Sequence, residues 1–468
     1  MAFSSITFLC VFLPVVFLLY ILMPSIKIKN GFLIVASLLF YAYGEPVYVF
    51  LMVACAFFNY GMARWFSRCR AGGQKLLFGV TVLADLGVLG VFKYAGMLVA
   101  TFVGLTGVSV PVPQIALPIG ISFFTFQAIS YVSDVYRKKV TAEKSFFRIL
   151  LYISFFPQLI AGPIIQYNDI ASAIGDREVT VDKVSEGLRR FIVGLSKKVL
   201  ISNTMGTAAD AIFGLEPSLV SMPGAWLGAV AYMMQIYFDF SGYSDMAIGL
   251  GKMFGFHILE NFRYPYAAAS IQDFWRRWHI SLTGWFREYL YIPMGGNRKG
   301  TVRTWGNRLF VFFCTGLWHG ANWTFVLWGL FHGAFQSLET FFPKLTKRMG
   351  PLRHLYVFLV VCTGFVIFRA DTIGQAGRMI RAMYTGIGWS AESAAATAAV
   401  CNGLFWFMLA VSAVACLPVK DWFHMRIGDG KAYRVCNRVS YVVSVALLLV
   451  CMTSLAGGTY NPFIYFRF

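Results

Sequence analysis

The sequence predicts an all-α, polytopic bundle of transmembrane helices with further re-entrant or interfacial helices. Three observations predict it. Only 13% of the 468 residues are charged while 58% are hydrophobic, against about 25% charged in an ordinary soluble domain. Mean hydropathy is +0.65. Mainly apolar stretches also recur along the whole chain, several of them near the roughly 20 helical residues needed to cross about 30 Å of hydrocarbon.

These stretches fall at 4–23, 31–43, 47–60, 76–92, 115–132, 146–165, 223–237, 309–335, 355–368, 399–417 and 439–456. They make about eleven spans, the shorter ones tilted, re-entrant or joined to neighbours. None alternates as a membrane strand would, and helices satisfy their own backbone groups in lipid. No basic residue precedes 4–23 and no small-x-small cleavage site follows, so it is expected to remain as the first span. Net charge is +19. Its clusters at 64–75 and 137–144 read as cytoplasmic loops, and nothing resembles a nucleic-acid motif. A lesser share of this charge is available to a phosphate-bearing ligand.

Lysine and arginine placement sets an expected topology. Lys27 and Lys29 follow the first span, which puts the N-terminus outside, with Gly44-Glu45-Pro46 an outer turn. Lys420, Arg426, Lys431, Arg434 and Arg438 crowd the loop before the last span, which puts the C-terminus outside as well. The charge-rich stretch 166–222 is expected partly in or on the inner leaflet. Nine cysteines are scattered without a C-x-x-C spacing, which reads as small core residues, not disulfides or a metal site. With no linker and no repeat, the expected organisation is one domain, 1–456, followed by a tail, 457–468.

Polar side chains within apolar runs need a reason. His319 lies in T-G-L-W-H-G-A-N-W-T-F. Asn322 and Trp323 follow at i+3 and i+4, so they are expected to share its helical face. Its imidazole suits a general base; the alternative is a histidine satisfied by a neighbouring carbonyl. In 273–292, Trp275, Trp278, Leu282, Trp285 and Tyr289 form an apolar stripe of helical period, with Arg276, Arg277, Arg287 and Glu288 on other faces, the pattern of an interfacial amphipathic helix. His279 borders that stripe and either holds a substrate or serves structure. His332 is expected to be structural. Asp239 and Asp245 suggest a polar, glycine-containing break lining a water-filled cavity, or carboxylates capping helix ends. The G-x-S-x-G, Walker and H-E-x-x-H motifs are absent. After the last span, two glycines and Pro462 let the chain turn back. Four aromatics in the final six residues favour insertion into the protein or outer leaflet, or an interfacial anchor.

F-S-S-I-T-F-L at 3–9, L-P-I-G-I-S-F-F-T-F-Q at 117–127, P-Q-L-I-A-G-P at 157–163, 237–245, 274–291 with G-G-N-R at 295–298, and 317–333 together resemble the bacterial alginate O-acetylase branch of the membrane-bound O-acyltransferases. The resemblance spans nearly the whole chain and is weakest from 337 to 439. It implies a central tunnel across the bacterial cytoplasmic (inner) membrane, acyl-CoA entering from the cytoplasm and the acyl group leaving outside. It implies transfer of acetyl from acetyl-CoA, with no permanently bound cofactor, to an extracytoplasmic polysaccharide through an outer acetyltransferase or esterase-like partner. The family's essential histidine in W-H-G-A matches His319 and the recurrent R-W-H histidine matches His279. Arg276, Arg277, Arg298 and Asn322 become candidate donor contacts, with lipid headgroups as the competing contact for the arginines. F-I-Y-F at 463–466 resembles the C-terminal F-x-Y-F motif of the small partner protein in D-alanine export, which implies Tyr465 as an acyl carrier. That sibling branch, acting on teichoic acids from a carrier-protein thioester, is the alternative within the fold. A transporter without chemistry is the alternative outside it, and would be expected to show an inverted repeat or paired intramembrane charge.

Overall fold

A computed structural model describes residues 1–386, 389–419, 422, 425, 426, 430–458 and 460–464, with backbone alone at 345, 431 and 433. The described residues form helices and no strands, as lipid demands of backbone groups. They gather into two compact units, 1–191 with 246–259, and 192–245 with 260–468.

The first unit packs helices Leu13–Leu22, Ile26–Ala42, Tyr48–Phe66, Ala71–Thr106, Ile121–Tyr136 and Phe146–Ser154. Its centre is aromatic: Phe8 and Phe40 lie 6.0 Å apart and Phe40 and Phe156 5.6 Å apart, all fully buried. The glycine of L-P-I-G has a positive φ of 78°, and a Cβ there would lie 2.9 Å from the Leu159 carbonyl oxygen. That close approach is what places the almost wholly buried helix 121–136.

Among the described residues, four helices are long and apolar enough to cross a membrane: Tyr48–Phe66, Ala71–Thr106, Leu352–Arg369 and Arg434–Gly457. Ala391–Val400 and Gly403–Ala415, bent by 67°, make a fifth if taken as one span. Several of the expected stretches are instead interrupted. The stretch 309–335 is a hairpin of Thr301–His319 and Trp323–Phe341, and 146–165 breaks after Ser154. Lys420 and the Lys431 side chain lie outside the described residues.

In the second unit, the expected break at Asp239–Asp245 is absent: helix Met222–Met253 runs straight through it. The preceding chain carries a π-helical segment, Lys197–Ser202, and its lysines neutralise the two acids. Lys197 Nζ lies 2.7 Å from Asp245 and Lys198 Nζ 2.7 Å from Asp239, the latter pair almost fully buried. Charge pairing, not a helix break, is how these carboxylates are accommodated. The paired buried charge that was unreadable in the sequence is therefore present.

The expected amphipathic helix 273–292 is also interrupted. Ile271–Arg277 and Ile280–Phe286 flank an extended Trp278 and a left-handed His279, followed by a π segment, Arg287–Tyr291. Its stripe still faces inward: Trp275, Trp278, Leu282 and Trp285 are buried.

Candidate active site

His319 ends helix Thr301–His319, and Gly320 breaks away in extended backbone. Asn322 then caps helix Trp323–Phe341, its Oδ1 accepting the Thr324 N–H at 3.1 Å while its Nδ2 donates to the Asp371 carbonyl at 2.9 Å. The chain turns at 320–322, so Asn322 does not share a helical face with His319, and it lines neither cavity described below. Glycines let the two helices touch backbone to backbone. A Cβ on Gly316 would collide with the Phe325 carbonyl, and one on Gly329 with that of Phe312, a small-residue contact suited to membrane helices. His319 is buried in an aromatic box, 5.0 Å from Trp318, 5.0 Å from Trp328 and 5.1 Å from Phe368.

His279 is held by strain and by hydrogen bonds. Its φ of 45° is left-handed, which costs a non-glycine residue roughly 1 kcal/mol and persists where surroundings enforce it. Asn261 enforces it. Its carbonyl accepts the Ile280 N–H at 3.0 Å. Its Oδ1 lies 3.2 Å from His279 Nδ1 and accepts from the Ser281 N–H at 3.1 Å and hydroxyl at 2.9 Å. Its Nδ2 donates to Ser244 at 3.2 Å. An amide so fixed presents an acceptor to the ring, so Nδ1 carries the proton and Nε2 keeps its lone pair. Nε2 has no hydrogen-bond partner among the described residues and is buried. Burial pushes the imidazole down to about 3, so the ring is neutral and a proton acceptor at physiological pH. Its ring meets Phe240 at 4.6 Å and Trp318 at 5.9 Å, and Trp318 also lies 5.0 Å from His319. Asn261 escaped sequence reasoning because its contact is made across 18 residues.

His332 is caged by Trp275 and Trp328, each 5.2 Å away, with both ring nitrogens lacking partners among the described residues. Its setting is packing.

A cavity of about 720 Å³ lies among four arginines, Arg276, Arg287, Arg298 and Arg308, with Tyr291 and Asn297. A second, of about 260 Å³, shares Arg276, Arg287 and Arg308 and adds Phe286, Phe312 and Thr315. Thr315 stands one helical turn before His319, so this apolar extension points along the face that carries the histidine. Of the three arginines expected at the donor, Arg276 and Arg298 line the first cavity. Arg277 does not; it is paired with Asp273 at 3.0 Å. Arg287 and Arg308 line it as well, Arg287 as an exposed side chain of the π segment.

The tail turns back into the second unit. Tyr460 donates to Asp210 at 2.8 Å, and Asp210 is paired with Arg369 at 2.6 Å. Phe463 stacks on Tyr243 at 4.6 Å, and Ile464 is buried in the core with its N–H donating to Asp239 at 2.8 Å. Asp239 adjoins Phe240, the ring against His279. Tyr465 itself lies outside the described residues.

A profile described as MBOAT, the membrane-bound O-acyltransferase family, matches residues 124–370. The chain is 38% identical to a probable alginate O-acetylase of Pseudomonas putida over the whole of both chains. This chain is a membrane-bound O-acyltransferase. As such it is an enzyme and a multi-pass membrane protein, and the transporter alternative is set aside. The acyltransferase is also 35% identical to a peptidoglycan O-acetyltransferase of Helicobacter pylori, covering 81% of this chain and 79% of that one. It is 28% identical to a teichoic acid D-alanyltransferase of Bacillus subtilis, covering 53% and 68%. The profile contains both histidines and the four cavity arginines, but not the tail.

Proposed function

We propose that this acyltransferase moves acetyl from cytoplasmic acetyl-CoA across the bacterial inner membrane for O-acetylation of an extracytoplasmic polysaccharide, with Tyr465 as an intermediate carrier. The observation that supports this reading is the docking of the tail on the helix that carries Phe240. Ile464, the residue before Tyr465, is bonded to Asp239, whose neighbour Phe240 packs on His279. The four-arginine cavity supports a donor rich in phosphate, since guanidinium matches phosphate with a fork of donors. Full-length likeness to an alginate O-acetylase supports acetyl over D-alanyl.

In this mechanism His319 takes the proton of the Tyr465 hydroxyl as the phenol oxygen attacks the thioester carbonyl. The C–O bond forms, the C–S bond breaks, and the coenzyme A thiolate leaves with a proton returned from the imidazole. A phenol, with a pKa of about 10, is far easier to deprotonate than a sugar hydroxyl. The resulting aryl ester remains activated toward a hydroxyl of an outer partner transferase. Neutral His279, held by Asn261, offers Nε2 as an acceptor that orients donor or acceptor. Both termini face outward in this arrangement.

Radiolabelled acetyl-CoA and purified protein test it. His319→Ala is expected to lower transfer by about 10²–10⁴-fold with folding intact. Tyr465→Phe, which keeps the ring and removes only the oxygen, is expected to abolish export and the base-labile acetyl on the C-terminal peptide. Near-normal export by Tyr465→Phe would make the tail an anchor only.

A further inference from the structure

The grip on the tail is ionic and buried, and it acts on backbone. Lys198 Nζ donates to the Pro462 carbonyl and pairs with Asp239, while Asp239 Oδ2 accepts the Ile464 N–H. The two groups held, the Pro462 carbonyl and the Ile464 N–H, lie two residues apart, so the pair fixes the tail at two points. A slip of one residue would break both contacts. Pro462 has no N–H to satisfy, which suits a position held by its carbonyl alone. The segment bearing Lys198 is itself fastened beside it by the Lys197–Asp245 pair, and Lys198 also donates to Asn203 at 2.9 Å. Asn203 Nδ2 in turn donates to Asn461 at 3.3 Å.

A buried ion pair is a poor device for stability alone, because an apolar pair of similar volume commonly does as well. We infer that Lys198 and Asp239 are positioning residues, a two-jawed clamp that sets the register of the C-terminal tail and so delivers the residue after Ile464 to the histidines. The inference rests on the tail acting as acyl acceptor. Each side chain acts through the tail, whose backbone it holds.

The full-length enzyme in membranes tests this with Lys198→Met, the apolar pair Lys198→Met/Asp239→Leu, and Lys198→Arg. Carboxypeptidase trimming past Ile464 reports docking, since cleavage follows the population of the open form. Lys198→Met and the apolar pair are expected to trim at least about tenfold faster. Their turnover should fall about 10²-fold, as for a misplaced reactant, with the KM for acetyl-CoA within about twofold of wild type. Lys198→Arg should restore protection and most of the turnover. The apolar pair keeps the fold, so its failure to turn over separates register from stability. Wild-type turnover in the apolar pair, or lost turnover with unchanged tail protection, would overturn the clamp. Should wild type turn over with no acetyl on Tyr465, the carrier reading fails and the inference with it; acetyl on Tyr465 with turnover that does not follow tail protection overturns the clamp alone.

Discussion

Gly320 is the residue on which the placement of His319 can be tested without touching the imidazole. Its φ of −172° is open to any amino acid, so its requirement is space. A Cβ there would collide with the Phe325 ring. Restoring ordinary carbon–carbon contact requires that ring to move roughly 1 Å. Phe325 packs on Phe368 at 4.8 Å, and Phe368 walls His319 at 5.1 Å, so the displacement passes to the aromatic box around His319. Gly320→Ala is expected to cost about 1–3 kcal/mol, the usual range for overpacking. With His319 as the proposed base, a shift of that size should lower kcat about 10²-fold. Acetyl transfer from acetyl-CoA, with thermal unfolding in detergent, measures both. KM should hold, because the arginine cavity is untouched. Adding Phe325→Leu removes the ring's far carbons and should recover most of the turnover. Full activity in Gly320→Ala, or no recovery in a folded double variant, would refute the reasoning.

Three further outcomes follow from the geometry. Arg287→Glu and Arg298→Glu should each raise the KM for acetyl-CoA about tenfold, while Arg277→Glu, already paired with Asp273, should leave it within about twofold; equal effects at all three would point to headgroup contact. Asn261→Ala should destabilise by about 2–4 kcal/mol, since it strips several buried partners at once, and Ser281→Ala by only about 1 kcal/mol; calorimetry or chemical unfolding distinguishes them. His279, ordinarily near 6.5 and here about 3, favours the neutral folded form. The unfolded chain takes up its proton first, so stability contributed above pH 6.5 is lost as pH falls, by up to about 1.4 kcal/mol per unit. The slope of unfolding free energy between roughly pH 6 and 4 should be shallower in His279→Gln.

The helical fold was legible because lipid leaves few options and apolar runs announce themselves. His319 was legible for the same reason, as a polar group inside such a run. What escaped was set by contacts across the sequence. W-R-R-W-H-I-S-L has no glycine or proline to mark a break, and the left-handed turn at His279 is enforced from Asn261. The sharing of Asp239 between Lys198 and the tail joins residues 198, 239 and 464, which no local pattern relates. Asn322 read as a neighbour of His319 because the periodicity assumed one helix where Gly320 ends it. Which arginines line the cavity follows from how the two short helices and the π segment wind, and that leaves no compositional trace.

That winding has a consequence for how this chain tolerates insertion and deletion. A π segment is an α-helix with one residue too many, and here such segments hold Lys197 and Lys198 in one place and Arg287 and Tyr291 in another. Deleting a single residue from either would leave a regular and locally more comfortable helix. It would also rotate everything on one side of the deletion by about 100° relative to the other, carrying Lys198 off Asp239 or Arg287 out of its cavity. In these two stretches the length of the chain, more than the identity of its residues, is the fragile quantity. Single-residue deletions there should be silent in membrane insertion and severe in turnover, the reverse of what the same deletions would do inside a spanning helix.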